Sequence, residues 1–268
     1  MLDELFFKKK MDLRPVNFAF FGFCVTLIGI FTAIMLFGLD SSIAQILFVT
    51  ILLMPPVMKL FQEAEYREKR SGTKNLYKNH KDVLKIFSLM FLGVFAAYLL
   101  VQLTTIHNIE WFRQMFDYQV DFLLMNEHFT TGLMDAIAAQ TGNLGAILSD
   151  LLFLAIGLVV AGFVLSIFYG SGGVFLIVLS ASVFSTLFIF LMQMFEFFAH
   201  YSAAFILMFL CLFLPLMIGF ILSATAGGVI SKAIVSENIK SRSFNKVLKD
   251  ALILLCISIA VIVAGMAL

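Results

Sequence analysis

Charged residues fall in short clusters along this chain, separated by long stretches that carry none. Residues 15–39, 41–58, 86–109, 151–195, 197–231 and 251–268 are free of Asp, Glu, Lys and Arg. A helix of about 20 apolar residues crosses the hydrocarbon core of a bilayer, so each stretch is long enough for one crossing and 151–195 for two. Inside that longest stretch, Gly170-Ser171-Gly172-Gly173 is too flexible for a helix interior and predicts a tight hairpin. The pattern therefore predicts seven helices, near 16–38, 43–60, 86–106, 147–169, 174–195, 203–226 and 251–268. The expected fold is all-α: one transmembrane helix bundle spanning 1–268, in a cell membrane and multi-pass, with no second domain, internal repeat or low-complexity tract.

Composition agrees with a bilayer rather than an aqueous core. The chain is 62% hydrophobic and only 13% charged, against about 25% charged in ordinary soluble domains. Orientation follows from Lys and Arg, which cytosolic loops retain. They cluster before the first span (Lys8, Lys9, Lys10, Arg14), at 59–85 and at 232–250, and only Arg113 lies elsewhere. Seven spans put all three basic segments in the cytosol together with the N-terminus, giving an inner face of +8 and an outer face of −7. The total of +1 gives no reason to expect nucleic acid; the basic loops lie beside anionic lipid, the first expected partner. The first span has no small-residue cleavage site after it and is expected to remain as an anchor. Cys24, Cys211 and Cys256 lie in apolar spans without metal or redox spacing, and packing inside the bundle is the expected role of each.

The polar segments carry their own patterns. The opening residues Met1 to Phe7 are amphipathic and suit the inner membrane surface. Pro55-Pro56 should stop or kink the second span. Residues 62–82 mix both charges at helical spacing, which predicts a solvated helical extension broken at Ser71-Gly72. In the outer segment 107–146, Trp111, Met115, Tyr118, Phe122 and Met125 share one helical face, and Arg113, Asp117 and Asp121 another. This describes an amphipathic helix at the outer interface with Trp111 and Tyr118 at headgroup level, or a lid over the bundle. His107 and His128 in the same segment are expected to be solvated. Small residues recur at steps of four: Gly162, Ser166 and Gly170, then Ser223, Gly227 and Ser231 at the end of the sixth span. Such stripes let helix backbones approach closely, within one chain or across a homodimer.

Little catalytic chemistry is visible. There is no His-Glu-x-x-His metal run and no phosphate-binding loop ending in Lys-Ser/Thr. Ser171 lies two residues after Tyr169 where a nucleophile elbow needs Gly. An enzyme is not expected, and neither is a cofactor or a metal. Asp150 is an intramembrane acid and so a functional candidate; the competing reading has Ser149 or Asp150 capping the fourth helix near the outer interface. Glu196 and His200 stand four apart between the fifth and sixth spans and could share a proton, or sit in water without a partner. Gln102 and Gln193 either bridge helices or face the interface. Pro215, Gly219 and Gly227 make the sixth span a candidate broken helix of the kind that lines a transport site.

The chain opens with Met1-Leu2-Asp3-Glu4-Leu5-Phe6, the Lys run, Pro15 and Phe21-Gly22-Phe23. With the runs that follow it in order, this opening resembles archaeal members of the stage II sporulation protein M family. The second-span end leading into Phe61-Gln62-Glu63-Ala64-Glu65-Tyr66-Arg67-Glu68-Lys69 is similar to that family's proline and Glu-rich cytosolic helix. Ser166-Ile167-Phe168-Tyr169-Gly170-Ser171-Gly172-Gly173 with Ser180-Ala181-Ser182-Val183 looks like its hairpin, and Ala226-Gly227-Gly228-Val229-Ile230-Ser231 like its small-residue stretch. Leu212-Phe213-Leu214-Pro215-Leu216 stands where many members carry His-Gly-x-x-Glu, so a role attached to that motif does not transfer. The resemblance implies a non-enzymatic scaffold or anchor for envelope or membrane remodelling, working through membrane protein partners. The alternative from another class is a transporter or channel for a small solute or lipid.

Overall fold

The computed structural model describes residues 16–71, 76–124, 144–169, 172–196, 202–236 and 242–267. Among these residues every element is α-helical: α1 (Val16–Phe37), α2 (Ser42–Ser71), α3 (Leu76–Thr105), α4 (Ile109–Met115), α5 (Asp117–Leu124), α6 (Leu144–Tyr169), α7 (Gly172–Glu196), α8 (Ser202–Ser236) and α9 (Arg242–Ala267). Five of them hold described stretches long and apolar enough to cross a membrane: Asn17–Phe37, Ser42–Lys59, Leu84–Thr105, Phe213–Ser231 and Phe244–Gly265. α6 and α7 contribute the shorter described apolar stretches Ala155–Ile167 and Gly173–Ile189.

The bundle has an inside-out surface. Large apolar side chains point away from it along whole faces, such as Phe20, Ile28, Phe31 and Met35 on α1 and Leu252, Ile253, Ile257 and Val263 on α9. A soluble monomer rarely tolerates patches of that extent, whereas lipid solvates them, so the molecule is a membrane protein. In α8 78% of the membrane-length stretch is buried, against 28% in α1 and 22% in α9. That contrast makes α8 the centre and α1 and α9 the periphery. α8 packs on α6, α7 and α9, and α7 in turn reaches α2 and α3.

An aromatic cluster joins the first three helices to the last four. Phe213 of α8 lies 5.1 Å from Phe95 and 5.9 Å from Phe91 of α3, and 5.3 Å from Phe184 of α7, between ring centroids. Phe95 also meets Phe188 edge-on. Such offset and edge contacts add to what burial alone contributes. Much of the Phe content is thus packing mass at one junction, with Phe20 and Phe31 left for lipid.

The turn between α1 and α2 is set by Gly38, whose φ of +73° is the left-handed conformation that closes a helix end. Its amide donates to the Ile34 carbonyl at 2.8 Å. The chain then reverses within a few residues, and α1 packs along both α2 and α3.

Several predicted boundaries move. Pro55 and Pro56 do not end α2, which continues to Ser71. The carbonyls that two prolines leave unbonded lie four residues back, at Ile51 and Leu52, whose side chains are on the exposed side of the helix. The helical extension does end at Ser71, and α3 begins at Leu76. The sixth predicted helix runs on to Ser236, so Gly227 and Ser231 lie within α8 rather than at its end. The last helix begins at Arg242, inside the basic segment. Gly172 and Gly173 already belong to α7. Gly173 is buried against Ser166 and Ala224, where a close approach and not a turn requires glycine. The amphipathic opening, His128, Met125 and Gly170 lie outside the described residues.

Candidate functional site: a neutral polar layer beneath a helical cap

At the end of the bundle where α2 begins and α3 ends, α4 and α5 fold across the helix tips. Asn108 starts α4 by accepting the Trp111 amide on its side chain, which supplies one of the unpaired N–H groups of a first turn. The cap buries Phe112, Met115, Phe116, Gln119, Val120 and Leu123. Trp111 is 53% exposed and Tyr118 36% exposed, and Phe122 is only partly buried. The face buried against the bundle is therefore offset from the line through Trp111, Met115, Tyr118 and Phe122, of which only Met115 is fully buried. The chain breaks at Phe116, whose backbone leaves the helical region, and the burying face re-forms around 112, 115, 116, 119, 120 and 123. Of the two arrangements open to this segment, the described part adopts the cap. Arg113, Asp117, Asp121 and His107 stay exposed.

Hydrogen bonds from neutral side chains hold the cap down. Tyr118 N donates to Ser42 Oγ at 2.9 Å, and Ser42 Oγ donates to Gln119 Oε1 at 2.8 Å. Gln45 Nε2 donates to the Met115 carbonyl at 3.1 Å and to Ser41 Oγ at 3.2 Å. One turn from the end of α3, Gln102 Nε2 donates to Thr186 Oγ1 of α7 at 2.8 Å. Gln102 thus bridges helices, the first of its two sequence readings, while the side chain of Gln193 lies outside the described residues. Tyr98, one turn before Gln102, sets its ring 6.5 Å from that of Phe116 under the cap. Gln45, Tyr98, Gln102, Gln119 and Thr186 are all fully buried.

Most of these residues escaped the sequence reading. A signal existed, because Gln45 and Gln102 interrupt charge-free apolar helices, and an amide at that position must be bonded. Ser42 and Gln119 meet only through the fold, across 77 positions.

The small-residue stripes are placed inside one chain. Gly162 and Ser166 of α6 face Ser223 and Gly227 of α8, and Ser223 Oγ donates to the Val159 carbonyl at 2.6 Å. Ser231 is half-buried further along α8. A second seam joins α8 and α9, where Ser258 Oγ donates to the Gly219 carbonyl at 2.7 Å and Gly265 lies against Pro215. α8 is continuous through Pro215, and the candidate break of the transporter reading does not form there.

The other candidates separate. α6 starts at Leu144, so Asp150 stands in its second turn and does not cap it; the cap reading is withdrawn. The Asp150 side chain lies outside the described residues, as does that of Glu196, the last residue of α7, and the whole of His200. Cys256 is exposed on the lipid-facing side of α9 and not packed inside, Cys24 is half-buried, and Cys211 lies outside the described side chains. Among the described residues no three His, Cys, Asp or Glu come together. The polar layer can donate and accept hydrogen bonds, and among the described residues no carboxylate or amine belongs to it. No family model, no curated protein and no solved structure matches the chain.

Proposed function

We propose that this chain is a seven-span integral membrane protein with a cytosolic N-terminus that acts without catalysis as a scaffold or anchor. The observation that carries the reading is the use made of polar groups. Ser223, Ser258 and Gln102 each bond one helix to another, and α8 runs unbroken where a transport helix would part. Such groups fasten a bundle; a pathway for a charged solute would set ionisable groups at depth. The role in envelope or membrane remodelling rests on the sequence resemblance, and its partners are lipids, other membrane proteins and a second copy of the chain. The transporter reading is favoured by one feature, the neutral layer beneath the cap.

The purified protein in liposomes should show no proton- or sodium-driven uptake, and Glu196→Gln and His200→Ala should leave copurifying partners unchanged. Gradient-driven uptake abolished by either substitution would replace the scaffold with a transporter.

Orientation has its own test. Single cysteines introduced at Ser71 and Ser241 should react only with reagent added to the cytosolic side, and one at Asn126 only from outside. Reaction of the Ser241 position from outside would remove the seven-span count, whose parity depends on that loop.

A further inference from the structure

Four buried polar atoms of the cap and the helix ends beneath it have no hydrogen-bond partner: Gln45 Oε1, Tyr98 Oη, Gln102 Oε1 and Gln119 Nε2. Shared neighbours link the residues that carry them. Gln45 bonds to Met115, and the next residue, Phe116, meets the Tyr98 ring. Gln102 follows Tyr98 by one turn, and Gln119 follows Met115 by one turn and is tied to Ser42, itself one turn before Gln45.

The amide orientations are determined by their bonds. Met115 offers Gln45 a carbonyl, which only accepts, so the nitrogen of Gln45 points there and its oxygen is left over. Thr186 gives its own proton to the Ser182 carbonyl, so it accepts from Gln102 and leaves that oxygen over as well. Ser42 accepts from Tyr118 and donates to Gln119, which leaves the Gln119 amide nitrogen free. Two acceptors, one donor and one hydroxyl thus share a closed end of the bundle. An unmet buried polar group is costly, and native proteins meet such groups with protein or ordered water. A ligand for this set must be small and must both donate and accept. It must also be uncharged, since the described charges of the cap, Glu110, Arg113, Asp117 and Asp121, are all exposed.

We propose that Gln45, Tyr98, Gln102 and Gln119 form an internal hydration site, in which ordered water completes the hydrogen bonds of the layer and joins the α4–α5 cap to α2 and α3. The site stands independently of the choice between scaffold and transporter. It gives the cap a defined seat, since lifting α4 and α5 would break direct bonds and the water bridge together.

Radiolytic hydroxyl labelling of the full-length protein in lipid nanodiscs, with a bulk radical scavenger, reads this directly, because bound water makes radicals where it sits. After correction for intrinsic reactivity, Tyr98 should label several-fold faster than Phe87 and Phe91, equally buried residues of the hydrophobic core. Gln102→Leu should reduce Tyr98 labelling severalfold. Labelling of Tyr98 no faster than those phenylalanines would overturn the site, and labelling abolished by scavenger would mean a cap open to solvent and overturn it too. Unchanged Tyr98 labelling in a folded Gln102→Leu variant would overturn the assignment of Gln102. If that variant does not fold, the wild-type contrast decides alone.

Discussion

Gly93→Ala is expected to be among the most damaging single-methyl additions in the described bundle, and Gly157→Ala among the least. The two glycines belong to long apolar helices, so alanine should gain roughly 0.5–1 kcal/mol of helix propensity at each. What differs is the space. A Cβ at position 93 would run into the carbonyl oxygen of Ala19 and lie 2.9 Å from the Phe23 amide nitrogen. Those are backbone atoms of α1, which no rotamer change can withdraw. Gly22, on the facing helix, is also held close, 2.8 Å from a would-be Cβ to the Met90 carbonyl oxygen. To admit the methyl, α1 and α3 must separate along the whole contact, and overpacking of this kind costs about 1–3 kcal/mol and sometimes more. Nothing lies within 4 Å of a Cβ at position 157. Thermal unfolding in a mild detergent should therefore place Gly93→Ala clearly below wild type and Gly157→Ala at or above it. Equal midpoints for the two variants would mean that α1 and α3 do not cross at glycine.

The same contrast explains what was legible in the sequence. Charge-free stretches predict helices because apolar length has one physical consequence in a bilayer, and every described helix overlaps a predicted one or the amphipathic outer segment. Helix ends were less legible. Pro55, Pro56 and Pro215 read as breaks, yet both helices run through them, as membrane helices can where their surroundings meet the freed carbonyls. Gly93 was passed over because it stands alone, while glycine at steps of four draws notice; its role depends on which helix faces it. The polar layer was hidden for a similar reason. Gln45, Tyr98 and Gln119 come from three segments, and only the break at Phe116, which turns the cap, brings them under one roof. Periodicity over Trp111, Met115, Tyr118 and Phe122 assumes one continuous helix, and the break at Phe116 moves the burying face off that line.

Within the stripes, the two glycines of the α6–α8 seam should behave differently although the sequence presents them alike. A Cβ at position 227 would meet Ser166 Cβ and lie 2.6 Å from the Phe163 carbonyl oxygen, a backbone atom of α6. A Cβ at position 162 would lie 2.5 Å from Leu176 Cδ1 and 3.7 Å from Ser223 Oγ. The first obstacle is rigid; the second is the far end of a leucine, which can change rotamer at a cost on the order of 1 kcal/mol. Gly227→Ala should thus destabilise by about 1–3 kcal/mol or more, with the further consequence that Ser223 is drawn away from the Val159 carbonyl, a bond of 2.6 Å. Gly162→Ala should fall within about 1 kcal/mol of wild type, the helix gain offsetting the leucine shift. With leucine in place of alanine the distinction should vanish, since neither site admits a branched side chain without parting α6 from α8. Chemical denaturation followed by aromatic fluorescence, with size-exclusion profiles at several protein concentrations, checks both points. If Gly162→Ala is as damaging as Gly227→Ala, the seam is tighter than its geometry here. A shift to a smaller species in either variant would place the stripe at a contact between two copies, where α6 and α8 of separate chains would meet.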